Sequence, residues 1–255
     1  MNGGESIGDP INTEEMGNES STARVEVLGH IDPTTLTEEE FNKHAWLYHA
    51  SRVSDFSVCK HFDYTQAAVN DATLGLGLYT TSSRNQAENY MRARPEGATL
   101  NVLLPYHAKL LNLTDPNMLT NISVPNDIVE EWIIFARDKI LASIKDKSTN
   151  WVVQQRLIDV MNKMNAINSE DHVDLRNDIL DTGNSPFSIV DVLWREFCAS
   201  KGWDGVIYVE GGIDDFSNTP DRTYIFYNIR TIGTYQDWQE RSPRYYPLDS
   251  GPSYA

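Results

Sequence analysis

The sequence predicts an α+β domain, because two groups of short strands flank a helical middle section. Strand-like runs of apolar and β-branched residues occur in an earlier group at 46–52, 98–106 and 108–113 and in a later group at 203–209 and 223–228. Between the two groups, residues 128–144, 151–167 and 188–200 place apolar side chains at the 3.6-residue period of a helix. Hydrophobic residues make up 40% of the 255 residues, a share that is sufficient for a packed core.

Composition sets the boundaries of this domain. Residues 1–38 mix Gly, Asn, Ser, Thr and Glu with few large apolar side chains, which predicts a flexible or disordered segment. Residues 239–255 contain three prolines, which predict an irregular C-terminal tail. The folded domain is therefore expected to occupy residues 39–238.

The first elements of the domain are a short helix and a strand. Thr37 and Glu40 have the spacing of a capping box, which predicts a helix that ends at His44. Residues 46–52 alternate between two faces, as a strand does. Trp46 and Tyr48 are expected on one face, and Leu47 and His49 on the other.

Residues 74–90 combine a glycine-rich turn, a brief strand and a helix start. Gly75 and Gly77 allow the backbone to approach a ligand closely or to adopt dihedral angles closed to other residues. The residues that can cap the helix predicted over 84–94 are Thr81, Ser82 and Ser83. Tyr79 on the strand and Tyr90 on the helix are expected to face one space.

The remaining elements follow from periodicity and from turn residues. They are strands at 98–106, 108–113, 203–209 and 223–228 and helices at 128–144, 151–167 and 188–200. Asn126 or Asp127 is expected to cap the first of these helices, and Gly202 to end the last. An acidic Gly/Asn/Pro loop is predicted at 210–221.

The net charge and the cysteine content of the chain argue against several classes of function. The net charge is −16, so the chain as a whole is not an electrostatic binder of nucleic acid. Cys59 and Cys198 are too far apart in sequence to suggest a disulfide framework or a metal site, and no metal is expected. No signal peptide is evident, and no apolar run approaches the ~20 residues of a membrane span. A cytoplasmic location without membrane contact is expected.

Three separated segments together resemble one family. They are Leu47-Tyr-His-Ala-Ser-Arg52, Gly77-Leu-Tyr-Thr-Thr-Ser82 with Asn89-Tyr90, and Asp204-Gly-Val-Ile-Tyr208 with Thr223-Tyr-Ile-Phe-Tyr-Asn228. In this order they resemble the signature strands of ADP-ribosyltransferases of the His-Tyr-Glu type, the superfamily of poly(ADP-ribose) polymerases and diphtheria toxin. Bacterial and phage ADP-ribosyltransferase-like domains are the most similar. The resemblance implies a split antiparallel sheet with flanking helices.

The resemblance also implies that NAD⁺ is the co-substrate. His49 would hydrogen-bond a hydroxyl of the nicotinamide-side ribose. Ala50, where the family usually has glycine, would hold the carboxamide through its backbone N–H and C=O groups. Ser51 and Arg52 would continue this loop towards the adenosine half or its phosphates. Each of these roles is carried over from the family.

Aromatic residues would complete the nicotinamide site. By the same resemblance, Tyr79 and Tyr90 would sandwich the nicotinamide ring, because aromatic faces attract a flat, cationic heterocycle. Their spacing in residues 74–90 would then have a chemical reason.

The chain departs from the family at the third signature position. Polymerising members have a catalytic Glu at the position that Thr223 occupies in this chain. By the resemblance, Thr223 is the third catalytic residue, but it matches the family in position and not in residue type. A threonine neither accepts a proton as a carboxylate does nor stabilises a developing positive charge, so chain elongation is not expected. The adjoining loop contains four acids, and two interpretations of them stay open: one substitutes for the missing carboxylate, or they merely keep the loop solvated. They are Glu210, Asp214, Asp215 and Asp221.

The sequence thus leads to a mono-ADP-ribosyltransferase that cleaves NAD⁺ and modifies a macromolecule. Two alternatives stay open: a catalytically inactive NAD- or ADP-ribose-binding module that recruits a partner, and an NAD⁺ glycohydrolase. The acidic composition favours a protein acceptor over nucleic acid. The bacterial and phage members imply a toxin or effector that acts in the cytoplasm of the producing or the target cell, with an antitoxin or inhibitor as a further partner.

Overall fold

A computed structural model of the chain describes residues 24–62, 77–92, 98–114, 124–145, 189–209 and 222–241, with the isolated helical residues Gln155, Ile158 and Asn162. The strands within these residues are β1 (Arg24–Leu28), β2 (Leu47–Ser51), β3 (Leu78–Thr81), β4 (Thr99–Pro105), β5 (Ala108–Asn112), β6 (Gly205–Val209), β7 (Arg222–Phe226) and β8 (Ile232–Gly233). The helices are α1 (Glu38–His44), α2 (Val58–His61), α3 (Arg84–Arg92), α4 (Asn126–Lys145), α5 (Ile189–Ser200) and α6 (Tyr235–Glu240).

The strands form one mixed sheet in the order β1-β5-β6-β7-β3-β2-β4-β8, so the protein is α+β as predicted. The prediction of an antiparallel sheet is wrong at one place, because β5 and β6 are parallel. Two parallel neighbours need a long crossover connection, and α4 and α5 lie between β5 and β6 in the chain.

The sheet opens between β2 and β3. β2 pairs with β4 over five residues, from Leu47 to Ser51. With β3, in contrast, the described part of β2 pairs at a single position, where Tyr48 lies opposite Thr81. Beyond this position the two strands separate, and His49 is the first residue of β2 after it.

Both faces of the sheet are buried. Along β7, Ile225 belongs to a core cluster built with α4 and α5, whereas Tyr224 and Phe226 belong to a second cluster on the opposite face. The first cluster also contains Trp132, Trp194, Phe197, Val206 and Tyr208. The second contains Leu47, Phe56, Leu78, Leu110 and Ile207. A strand covered on both sides explains why β6 has no charged or amide side chain and why β7 is apolar from Tyr224 to Phe226.

Ordered structure begins before the predicted boundary at residue 38. β1 pairs antiparallel with β5 over five residues and lies at one edge of the sheet. A 3₁₀ turn follows at Pro33–Thr35. The segment Arg-Val-Glu-Val-Leu has the alternation of a strand, but averaging the composition over residues 1–38 conceals so short a run.

At the C-terminal end, α6 extends two residues past the predicted boundary at 238. Thr234 and Asp237 form a capping box at its start, which is the same kind of signal that predicts α1. The indole N–H of Trp238 donates a hydrogen bond to the backbone oxygen of Leu104, at 3.0 Å. The helix therefore belongs to the folded domain.

Several local predictions are confirmed. The capping box of Thr37 and Glu40 is present at α1. Gly202 ends α5 with φ of 72°, in the left-handed region that favours glycine. The predicted helix after residue 126 is present as α4, from Asn126 to Lys145, but it is longer than predicted at both ends, so the predicted caps Asn126 and Asp127 are instead its first two residues. Most of the predicted helix 151–167, the loop 210–221 and Gly75 lie outside the described residues.

Asp237 is buried and connects α6 to α2. Its carboxylate accepts hydrogen bonds from the hydroxyl of Ser57 at 2.5 Å, from the backbone N–H groups of Val58 and Cys59 at 2.9 and 3.2 Å, and from the N–H and hydroxyl of Thr234 at 2.9 and 2.8 Å. Burial raises the pKa of Asp237, but the hydrogen bonds from Ser57, Thr234 and Val58 outweigh it and place the pKa below its ordinary value.

We expect this carboxylate to contribute to the acid sensitivity of the fold. Since its pKa is lower in the folded than in the unfolded protein, its contribution is complete above the unfolded value of about 3.9 and is lost as pH falls through the folded value. Urea midpoints measured between about pH 6 and about pH 2 should therefore fall more steeply in the wild type than in Asp237→Asn. Equal pH slopes in the two proteins would contradict this assignment.

Candidate functional site

The three segments that resemble one family lie on adjacent strands. β3 is hydrogen-bonded to β2 on one side and to β7 on the other. His49 on β2, Tyr79 on β3 and Thr223 on β7 are thereby brought to neighbouring positions, although 174 residues separate the first from the last. Long-range pairing of the strands, rather than any local turn, places these residues together.

His49 forms a direct link from β2 to β3. Its Nδ1 lies 2.8 Å from the backbone oxygen of Tyr79. A carbonyl oxygen can only accept, so Nδ1 carries the hydrogen and donates it. In the neutral form of the ring, the lone pair is then on Nε2, which can accept a hydrogen bond from a hydroxyl group. This imidazole connects the strands just beyond the point where their backbone pairing stops.

Phe56 packs against the His49 ring. The two ring centroids are 4.9 Å apart with an interplanar angle of 39°. Phe56 is buried in the second core cluster, and its contact limits the orientations that the half-buried imidazole can adopt. The strand, the carbonyl of Tyr79 and this aromatic ring together define the position of His49.

A row of hydroxyl groups crosses four strands on the face covered by α4 and α5. Tyr48 lies opposite Thr81, Thr81 opposite Thr223, and Thr223 opposite Tyr208. Residues directly opposite in paired strands point to the same face, so these four side chains form one row. Tyr79 is two residues before Thr81 and lies on this face as well, where it packs against the first core cluster. Tyr79 and Thr223 therefore share a face, with Thr223 buried. His49 follows Tyr48 in β2 and so lies on the opposite face, with Phe56 of the second core cluster.

The turn from β3 into α3 is held by side-chain hydrogen bonds. The Ser83 hydroxyl accepts from the N–H of Gln86 at 3.2 Å, so among the three predicted candidates Ser83 caps α3. The Thr81 hydroxyl accepts from the N–H of Ser83 at 3.1 Å and donates to the side-chain oxygen of Gln86. Gln86 is a site neighbour that sequence patterns do not single out.

α3 carries Tyr90 over the sheet. The helix contacts β2, β3 and β4, and Ala87 is buried beneath it. Tyr90 is three residues after Ala87 and so belongs to the same side of the helix. Its side chain is 37% exposed, which leaves part of the ring surface open to solvent.

Gly77 has a packing role that the sequence does not predict. A Cβ atom there would lie 2.4 Å from Cγ2 of Ile225 and 3.0 Å from the backbone oxygen of Phe226. Gly77 is therefore required for close packing of the chain against β7, and close approach to a ligand is not needed to explain it.

The residues after His49 differ in exposure. Ala50 and Ser51 are buried, opposite Leu100 and Thr99 of β4. The Ser51 hydroxyl accepts a hydrogen bond from the N–H of Val53 at 3.1 Å, and so stabilises the turn that follows β2. Arg52 is exposed. Of the loop residues that the family resemblance nominates, Arg52 has the clearest access to a solvent-borne ligand.

Glu26 is a carboxylate near β7 that the sequence does not predict, because it lies in the segment expected to be disordered. It accepts from the Asn112 amide at 2.6 Å and lies 3.6 Å from the guanidinium of Arg222. Arg222 and Thr223 are consecutive in a strand and point to opposite faces. Glu26 therefore pairs with Arg222 on the other face and does not replace the acid missing at Thr223.

The described residues contain no group of three or more His, Cys, Asp or Glu side chains that could hold a metal ion. Cys59 is an exposed free thiol and Cys198 a buried one, and burial raises the pKa of the Cys198 thiol. In the part of the chain that the structure describes, no helix is long and apolar enough to cross a membrane. The loop acids Glu210 to Asp221 lie outside the described residues.

Comparisons of the chain with family models, with curated proteins and with solved structures found no match.

Proposed function

We propose that this protein is a mono-ADP-ribosyltransferase with an ADP-ribosyltransferase-like fold, which cleaves NAD⁺ to nicotinamide and transfers ADP-ribose to a macromolecule. The observation that supports this most is the order β2-β3-β7, which makes neighbours of the three segments that resemble the family. The hydrogen bond from His49 to the backbone oxygen of Tyr79 directly joins two residues that match the family's signature.

The hydrogen-bonding state of His49 suits the role that the resemblance implies. With Nδ1 donating to the Tyr79 oxygen, Nε2 is the acceptor that a ribose hydroxyl needs. Because Phe56 and the carbonyl restrain the ring, little orientational entropy is lost when a ligand binds. The proposed nicotinamide position lies between Tyr79 and Tyr90, where stacking holds the cationic ring. Because His49 points to the other face of the sheet, the proposal requires the ribose to reach it through the opening between β2 and β3.

The reaction breaks the glycosidic bond between C1′ of the ribose and the nicotinamide nitrogen. The bonding electrons go to the nitrogen, which converts the pyridinium ring to neutral nicotinamide and leaves positive charge on the ribose. A nucleophile of the acceptor then attacks C1′ and loses its proton to a base. The proposed contribution of His49 and the two tyrosines is to bind and orient NAD⁺ for this step.

Thr223 supports a second candidate function, an NAD- or ADP-ribose-binding module without activity. The residue is buried on the same face as Tyr79, and its hydroxyl can only form a hydrogen bond where a carboxylate would stabilise positive charge. The transferase proposal therefore assigns proton transfer to a loop acid such as Asp221, to the acceptor or to water.

The fate of labelled NAD⁺ separates these functions. The protein is incubated with cell lysate and NAD⁺ carrying one label on nicotinamide and another on the adenylate half. The transferase proposal predicts free nicotinamide and adenylate label bound to macromolecules, more of it on protein than on nucleic acid. Free ADP-ribose as the only other product would indicate a glycohydrolase, and intact NAD⁺ would indicate a binding module.

Substitutions at Thr223 test its assigned position. Thr223→Ala should lower the rate of nicotinamide release only modestly, because a hydroxyl contributes about 0.5–1.5 kcal/mol, or up to about tenfold. Thr223→Glu should increase NAD⁺ hydrolysis, since a carboxylate there would stabilise the charge that develops on the ribose. A folded, NAD⁺-binding Thr223→Glu protein with no gain, together with inactive Asp221→Asn, would place the third catalytic residue in the acidic loop instead.

A further inference from the structure

The short helix α2 is held in place by the C-terminal helix α6. At the centre of this contact, the buried carboxylate of Asp237 accepts from Ser57, Val58 and Cys59. At its edges, Lys60 pairs with Glu240 at 2.5 Å, and the guanidinium of Arg241 lies 2.8 Å from Sγ of Cys59. α2 has only four residues, so these contacts rather than its own backbone bonds determine its position.

The residue that contacts His49, Phe56, lies two positions before this helix. Phe56 is adjacent to Ser57, whose hydroxyl is bonded to Asp237 and whose N–H donates to Nδ1 of His61 at 2.9 Å. The Phe56 ring is therefore anchored from the side of α6 and lies 4.9 Å from the His49 ring. A continuous series of contacts connects the carboxylate to the imidazole.

We propose that Asp237 is a positioning residue that sets the orientation of His49 through Ser57 and Phe56. The carboxylate fixes the start of α2, the fixed helix start holds Phe56, and Phe56 keeps the imidazole aligned with the carbonyl of Tyr79. The expected effect on NAD⁺ affinity rests on the proposed function, whereas the expected effect on the orientation of the imidazole does not.

Asp237→Asn tests this positioning. The amide has nearly the shape of the carboxylate, but its NH₂ group faces N–H donors and cannot accept their bonds. The matched control is Trp238→Phe, which removes the bond from α6 to Leu104 and leaves in place the hydrogen bonds that Asp237 accepts from Ser57 and α2. Thermal melting shows how much each variant destabilises the fold, and ¹⁵N NMR of the histidine side chains reports the tautomer and environment of His49.

The expected result is a change in the His49 ring signals in Asp237→Asn that Trp238→Phe does not produce. Affinity for NAD⁺, by calorimetry, should fall about two- to thirtyfold in Asp237→Asn and stay near the wild-type value in the control. Unchanged ring signals in Asp237→Asn, or equal changes in both variants, would overturn the proposal.

A milder variant covers the case in which Asp237→Asn does not fold. Ser57→Ala removes one bond to the carboxylate and leaves those from Val58 and Cys59. Its ring signals should change in the same direction, and unchanged signals would overturn the proposal. Because these spectra are recorded without NAD⁺, a wild-type protein that binds no NAD⁺ would refute the proposed function while the ring signals still decide the positioning.

Discussion

Replacement of His49 by alanine is expected to weaken NAD⁺ binding by about 1–3 kcal/mol, which is about 5- to 150-fold in Kd. The substitution removes the acceptor nitrogen proposed for the ribose hydroxyl. It also removes the hydrogen bond to the oxygen of Tyr79, and so loosens the junction of β2 and β3. Calorimetric titration with NAD⁺ measures the loss.

Substitutions at Tyr79 test whether the nicotinamide ring stacks on its side chain, as the same site assignment proposes. Tyr79→Ala removes a ring face and should weaken binding by about 1 kcal/mol or more. Tyr79→Phe keeps the face and loses only the hydroxyl, so its affinity should stay close to that of the wild type. Equal losses in the two variants would show that the hydroxyl, and not stacking, is what the ligand needs.

Two controls make these titrations interpretable. His30→Ala removes an exposed histidine in the connection after β1, outside the β2–β3–β7 region, and should bind NAD⁺ as the wild type does. Thermal melting of each variant shows whether a change in affinity comes from unfolding. Unchanged affinity in both His49→Ala and Tyr79→Ala would refute the site assignment.

Gly205→Ala is expected to have the largest effect on the fold. A Cβ atom at this position would lie 1.9 Å from the backbone oxygen of Ile225 and 2.9 Å from Cδ2 of Leu110. β6 is paired on both sides, with β5 and β7, so relief of the clash would break strand pairing. We expect a loss on the order of 3 kcal/mol or more, a large part of the usual stability of a domain.

The matched control is Gly202→Ala, in the connection from α5 to β6, three residues before Gly205. Nothing lies within 4 Å of a Cβ atom there, and only the positive φ of 72° opposes a side chain. The expected cost is about 1 kcal/mol of backbone strain. Urea denaturation of both variants measures the difference, and a Gly205→Ala protein as stable as Gly202→Ala would contradict the described packing of β6 between its neighbours.

Much of the fold follows from local sequence signals. The Thr37 and Glu40 pair predicts α1, alternation predicts β2, and Gly202 marks the end of α5. These predictions succeed because capping, side-chain alternation and left-handed turns depend on neighbours in sequence. β1 and α6 also have local signals, but each is a few residues long and lies beside a stretch of loop-like composition.

The arrangement of the strands could not be predicted from composition or spacing. The parallel pairing of β5 and β6 depends on which way the intervening chain returns, and a residue pattern does not specify this. The contact of Glu26 with Arg222 spans 196 positions and joins strands that are not sheet neighbours.

The geometry of the candidate site also depends on register. Family resemblance nominates His49 and Tyr79, but the bond from the imidazole to the Tyr79 backbone arises because β2 and β3 separate after Tyr48. The role of Phe56 depends on α6, which reaches α2 through Asp237. Tertiary contacts of this kind have no signature in a single sequence.

NMR contacts between protein and bound NAD⁺ test the central claim most directly. In protein saturated with NAD⁺, nuclear Overhauser effects should connect the nicotinamide ring protons to the aromatic protons of Tyr79 and Tyr90. They should also connect the protons of the adjacent ribose to the His49 ring. The proposed site would be contradicted if NAD⁺ does not bind saturably, or if the nicotinamide protons contact residues away from β2, β3 and α3.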